Sequence, residues 1–215
     1  MFGKLGHNYE PTPIDKQGIV PMNRDRLLSW VRFDLTAPAT IIKPDSGNRF
    51  QSMFVVNQDH YIKLIAYDPG EFVLTKEKMG TRYVQVMFRT LADSANPEDV
   101  KAANALQNKI IVHQSSPGEF DIPPWDETSR KKVREGLQLM GSTLQGIAGM
   151  FGDVGEVDPI THMIGPAGGY GGTSDKDAIY LNSFPEKNDG KTAYMLKVKD
   201  ILDGSWKFPE AQPVK

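Results

Sequence analysis

The stretch VVNQDHY at 55–61 sets Asn57, Gln58, Asp59, His60 and Tyr61 directly after two apolar residues that read as the end of a buried strand. If the strand ends there, a turn lets Asn57, Asp59 and His60 converge. A carboxylate near an imidazole raises its basicity and makes it a usable general base or metal ligand. If the strand runs on, Asp59 and His60 point to opposite faces and cannot serve one ligand. The plainer reading is that Asn57 and Asp59 cap a turn and His60 is half-exposed. Both readings stand at this level.

The other candidates are scattered. The four histidines are His7, His60, His113 and His162, and none belongs to an H-E-x-x-H or H-x-x-E-H pattern. His162 falls in a short helix, about 200° around the axis from both Ile160 and Ile164. It should therefore point away from the side those two bury, toward a cleft beside the glycine-rich loop or toward solvent. That loop, GPAGGYGG at 165–172, follows a helix and precedes a strand. A dinucleotide fingerprint needs the reverse order, and a phosphate loop needs a following Lys-Ser/Thr, so both nucleotide readings fail. Gly168, Gly169, Gly171 and Gly172 instead permit a tight crossover with Tyr170 packed as an anchor. Arg24, in NRD at 23–25, could bind a ligand carboxylate through its planar fork or pair with Asp25 or Asp45. No G-x-S-x-G elbow is present, and Ser29, Ser52 and Ser183 lie in or beside strands with no base nearby in sequence.

The elements that would position these residues are mostly strands in the first half. WVRFDL (30–35) alternates, with Val31, Phe33 and Leu35 on one face. RFQSMFVV (49–56) follows the turn-rich PDSGN, and YIKLIAY (61–67), EFVLT (71–75) and RYVQVMFRT (82–90) complete the set. The period then changes. Asn96 and Pro97 open a helix over 96–110. A second helix over 126–144 places Val133, Leu137, Met140 and Leu144 on one stripe, expected to pack into the core. A third, over 157–165, is capped by Asp158, opened by Pro159 and stopped at Gly165. Strand-like runs return at 178–184 and 192–200, with Asp189-Gly190 suited to a hairpin turn between them. The expected fold is α+β, mainly β: an antiparallel sandwich or jelly-roll-like domain with an inserted helical segment.

Composition bounds the rest. The 215 residues carry 25 basic and 27 acidic side chains, a net charge of −2, which gives no electrostatic reason to expect nucleic acid or an anionic membrane as partner. With no cysteine, disulfides, thiolate metal sites and a cysteine nucleophile are excluded. No run reaches the ~18 apolar residues of a membrane span. The start, MFGKLGHNYEPTP, lacks a secretory signal, so the default expectation is cytoplasmic, with a periplasmic or secreted location if a signal precedes this sequence.

The motifs MNRDRLLSWVRFDLTAP, GNRFQSMFVVNQDHY, GTRYVQVMFRTLAD, VDPITHMIGPAGGYGG and YLNSFPEKNDGKTAYMLKVKDI occur in an order that resembles a bacterial family. In it a domain of unknown function, family 1254, is fused to a second, family 1214. The resemblance covers nearly the whole chain and implies two sandwich-like domains with helices between strands. Arg26 and Leu28 depart from its pattern, which has Thr and an aromatic after NRD. The ending ILDGSWKFPEAQPVK is similar to the extreme C-terminus of a full-length member, so the resemblance implies an internal deletion near Asp200–Gly204. The expected organisation is an N-terminal sandwich domain at 1–172 and a truncated remnant of a C-terminal β domain at 173–215. Unpaired strand edges in that remnant would favour homo-oligomers. The expected function is small-molecule binding or self-assembly, through Arg24, Asn57, Tyr61, His162 and Tyr170 where a ligand is concerned. The alternative is a hydrolase or metal-dependent enzyme using Asp59 and His60 beside Asn57.

Overall fold

The computed structural model describes residues 2–13, 23–144, 146, 148–177, 186–187 and 189–195. Residues up to 180 fall in one compact unit, and the short described pieces after 185 belong to a second and contain no helix or strand. The strand-like run at 178–184, residues 196–200 of the run at 192–200, the Asp200–Gly204 junction and the proposed free strand edges lie outside the described residues, and the described residues 192–195 form no strand.

The first unit is a mainly β, α+β sandwich. Among the described residues eight strands form in the order β1 (Gly6–His7), β2 (Arg26–Asp34), β3 (Ala39–Lys43), β4 (Gln51–Asn57), β5 (Ile62–Ala66), β6 (Gly70–Leu74), β7 (Tyr83–Leu91) and β8 (Ile111–Gln114). Four helices accompany them: α1 (Lys76–Met79), α2 (Pro97–Gln107), α3 (Glu127–Gly141) and α4 (Pro159–Gly168). One sheet runs β1-β2-β7-β4-β5 and the other β6-β3-β8, all pairs antiparallel. The alternation in β2 does what a period of two demands: Leu27, Ser29, Val31 and Phe33 point inward and are buried. Val31 and Phe33 meet Met53, Val55, Val86 and Phe88 of their own sheet and Ala39, Ile41 and Leu74 of the other, while Leu27 packs with Ala92 and Ala103 at the far end. Each such apolar side chain contributes roughly 1.5–3 kcal/mol by leaving water.

β4 differs from its neighbours in being buried at all of its residues. Met53 and Val55 face the inter-sheet core. Phe54 and Val56 face the other way and are covered by Met150, Phe151 and Ile164 from the later part of the chain. A helical third layer therefore lies on the outer face of the larger sheet.

Among the buried polar side chains of the sandwich are an acid, Asp34, and an amine, Lys43. Asp34, fully buried, accepts Arg82 Nε and Nη2 at 2.9 Å each and the backbone N–H groups of Thr36 and Glu119. These donors hold its carboxyl far below the usual carboxylate range, the Arg82 bonds contributing most. Lys43 is 1% exposed, and its Nζ has no hydrogen-bond partner among the described residues. Burial lowers its affinity for a proton, and the carboxylates of Asp68 and Asp45 offset this only through space.

The helices form where the caps demand, with two corrections to their packing. The Asn96 side chain accepts the N–H groups of Glu98 and Asp99, and Asp126 and Asp158 cap α3 and α4 in the same way. α3 buries no residue, so the Val133–Leu137–Met140–Leu144 stripe is not core. α4 packs on the neighbouring flank instead, where Arg134 Nε and Gln138 Nε2 donate to the Ala167 carbonyl. Only Leu137 reaches the apolar cluster under the helical layer. α4 also runs past Gly165 to Gly168, with Pro166 inside it.

Candidate functional site

β4 ends at Asn57, and its side chain organises the chain reversal that follows. Asn57 Oδ1 accepts the N–H groups of Asp59 at 3.1 Å and Tyr61 at 2.9 Å, and Nδ2 donates to the Met79 carbonyl at 3.0 Å. The His60 N–H donates to the Asn57 carbonyl, which closes the turn with His60 at φ +65°. Non-glycine residues rarely adopt that region, and histidine is among the residues enriched there.

The turn aims the His60 ring inward rather than leaving it half-exposed. His60 is 6% exposed, with the Tyr170 ring edge-on at 4.8 Å and Phe151 at 5.7 Å. Its Nε2 accepts the Gly171 N–H at 3.2 Å, so the neutral ring carries its proton on Nδ1, which has no partner among the described residues. Burial first, and His162 second, push its pKa down to about 4.

His162 is buried too, which corrects the outward orientation expected from the helical wheel. The wheel assumed that Ile160 and Ile164 share a buried side, but Ile160 is 58% exposed. α4 is covered on two flanks, by α3 at Ile164 and by the 57–61 turn at His162. His162 Nδ1 lies 2.9 Å from the Met150 carbonyl and Nε2 lies 3.0 Å from the Asp59 carbonyl. Tyr61 stacks on the ring at 4.3 Å. A neutral imidazole donates to one of those carbonyls, and a second ring proton would serve the other.

Of the residues singled out in the sequence, Asn57, His60, Tyr61, His162 and Tyr170 meet at this junction. Asp59 contributes its backbone carbonyl, while its side chain is exposed. Among the described residues no hydrogen bond or ion pair joins the Asp59 carboxylate to either histidine. Arg24 stands apart: it precedes Arg26, which pairs with Leu91 at the end of the sheet opposite the Asn57–Val84 pair. That separation is about 20 Å along the strands. Tyr170 lies edge-on to the His60 ring and is itself 54% exposed. No group of three His, Asp or Glu side chains converges among the described residues in a way that could hold a metal ion.

Sequence reading missed the residues that close the junction from the far side. Arg89 Nη2 donates to the Gly171 carbonyl at 2.7 Å, the Ile62 N–H to Gly152, and Lys63 Nζ pairs with Asp153 at 2.7 Å. One signal was present: a Cβ on Gly172 would lie 2.4 Å from the Phe151 ring, so glycine is required for the loop to lie on the helical layer.

No helix among the described residues is long and apolar enough to cross a membrane. No family model and no curated protein matches the sequence. The crystal structure of the VPA0106 protein from Vibrio parahaemolyticus has a similar fold, with a TM-score of 0.57 at 14% identity. The likeness covers 71% of this chain and 58% of that one, so the chain spans little more than half of its structural neighbour.

Proposed function

We propose that this chain is an assembly module, a two-sheet scaffold whose helical layer presents an apolar face to another protein surface. One observation carries the reading: α3 and α4 turn Val133 (61% exposed), Met140 (47%), Ile160 (58%) and Met163 (54%) to solvent. Exposed apolar residues gathered on neighbouring elements mark interaction surfaces in soluble proteins. Sedimentation velocity from micromolar to submillimolar protein tests the reading. The expected result is a mass above one chain that falls toward one chain in Val133→Ser/Met140→Ser. An assembly untouched by that double substitution would refute the role of this face.

A second reading, a small-molecule site or a hydrolase at Asn57, Asp59 and His60, is favoured by the partnerless Nδ1 of His60. Against it, the Asn57 amide is spent on the turn and the Asp59 carboxylate bonds to neither histidine. Turnover of model esters that disappears in His60→Asn would revive it; turnover equal in the two proteins would end it.

A further inference from the structure

Resting on the assembly reading, we infer that the partner is a second copy of this chain, whose acidic aromatic arm at 119–126 docks on the basic, apolar flank of α3. The arm, EFDIPPWD, is exposed throughout, with Phe120 at 66%, Ile122 at 42% and Trp125 at 65%. Exposed tryptophan is unusual away from interfaces, where it is a preferred anchor.

The arm is held at both ends. At its start the Glu119 N–H donates to Asp34 Oδ2 at 3.0 Å, the Asp121 N–H to the Tyr83 hydroxyl at 2.8 Å, and Arg82 Nη1 reaches the Asp121 carboxylate at 3.2 Å. At its finish Asp126 caps α3 through the N–H groups of Thr128 and Ser129. Pro123 and Pro124 stiffen the chain between. A segment ordered before it binds loses little conformational freedom on docking.

Its chemistry matches α3. Asp121 is engaged by Arg82 and Asp126 by the start of α3, which leaves Glu119 as the arm's outward carboxylate. The first half of α3 carries Arg130, Lys131, Lys132 and the Ala167-bound Arg134 around exposed Val133. Glu127 and Glu135 each engage one of these, Arg130 and Lys131, and leave Lys132 with its charge outward. Opposite charge and shared apolar character on one chain allow two copies to exchange arms about a two-fold axis, closing two identical contacts.

The test is the dissociation constant of the full chain by sedimentation, with circular dichroism as the folding control. Trp125→Ser, a change at an exposed position, should weaken the dimer at least about thirty-fold. Lys132→Glu should weaken it by about ten-fold, and Lys132→Glu/Glu119→Lys should recover most of that loss. A wild-type chain that stays monomeric overturns the inference. So does a dimer indifferent to Trp125→Ser; if that dimer still yields to Met140→Ser, the apolar face stands and only the arm falls.

Discussion

His60 accepts a hydrogen bond from the Gly171 N–H through Nε2, and so its ring can be charged only by setting two donors against each other. The folded imidazole titrates at about 4 against an ordinary 6.5. A histidine whose pKa falls on folding stabilises the folded state fully above the unfolded value, and that stability drains as pH drops from about 6.5 to 4. The shift bounds the loss at about 3 kcal/mol. Urea unfolding at several pH values should show it, and His60→Asn, which tolerates positive φ, should flatten the slope in that window. An equal slope in both proteins would show that folding does not lower the His60 pKa.

The Asp34–Arg82 pair occupies a lower pH range. Asp34 is depressed, so its contribution is present above the usual carboxylate range and is lost only as pH falls through and below it. The two ends of the bridge are unequal: Asp34 is fully buried, while the Arg82 side chain is 30% exposed. Arg82→Met leaves a buried carboxylate with two backbone donors and should be clearly destabilising. Asp34→Asn, whose partner can turn to water, should cost less. Chemical denaturation of both variants at neutral pH checks the order.

Gly118 and Gly47 both adopt positive φ, +70° and +56°, but only one is crowded. A Cβ on Gly118 would lie 2.4 Å from Asp34 Oδ2, whereas one on Gly47 meets nothing within 4 Å. Gly47→Ala should therefore cost only the left-handed backbone penalty, about 1 kcal/mol. Gly118→Ala should cost more than twice that, because Asp34 or the arm must move. Comparable losses in thermal or urea unfolding would contradict the tight seat of the arm.

Lys43→Met should stabilise the protein, by about 1–2 kcal/mol, since it keeps the aliphatic bulk and removes an amine without a hydrogen-bond partner. A loss of stability in the same unfolding experiment would mean that Asp68 and Asp45 reward the charge more than burial penalises it.

Much of the sandwich was legible because β2, β4 and β7 bury alternate or continuous apolar residues along most of their length. β3 (ATIIK) and β8 (IVHQ) were not read as strands: at five and four residues they are too short to display a period. Their pairing with each other crosses a long stretch of chain, so only tertiary contact defines them. Helix α3 was visible from the spacing of Val133, Leu137, Met140 and Leu144, but periodicity shows that a helix has an apolar side without saying that anything covers it. Tyr170 and His60 were each noticed alone. Their contact depends on a left-handed turn and on Gly171, neither of which leaves a distinct mark in local composition.

β4 leaves no face for water, and the cover over Phe54 and Val56 is translated long after the strand itself. During synthesis the sheets can zip together while one greasy seam still awaits its lid. Any fragment that stops short of Phe151 should therefore be sticky even with every strand intact, and helper proteins that shield nascent chains would find their target at that seam.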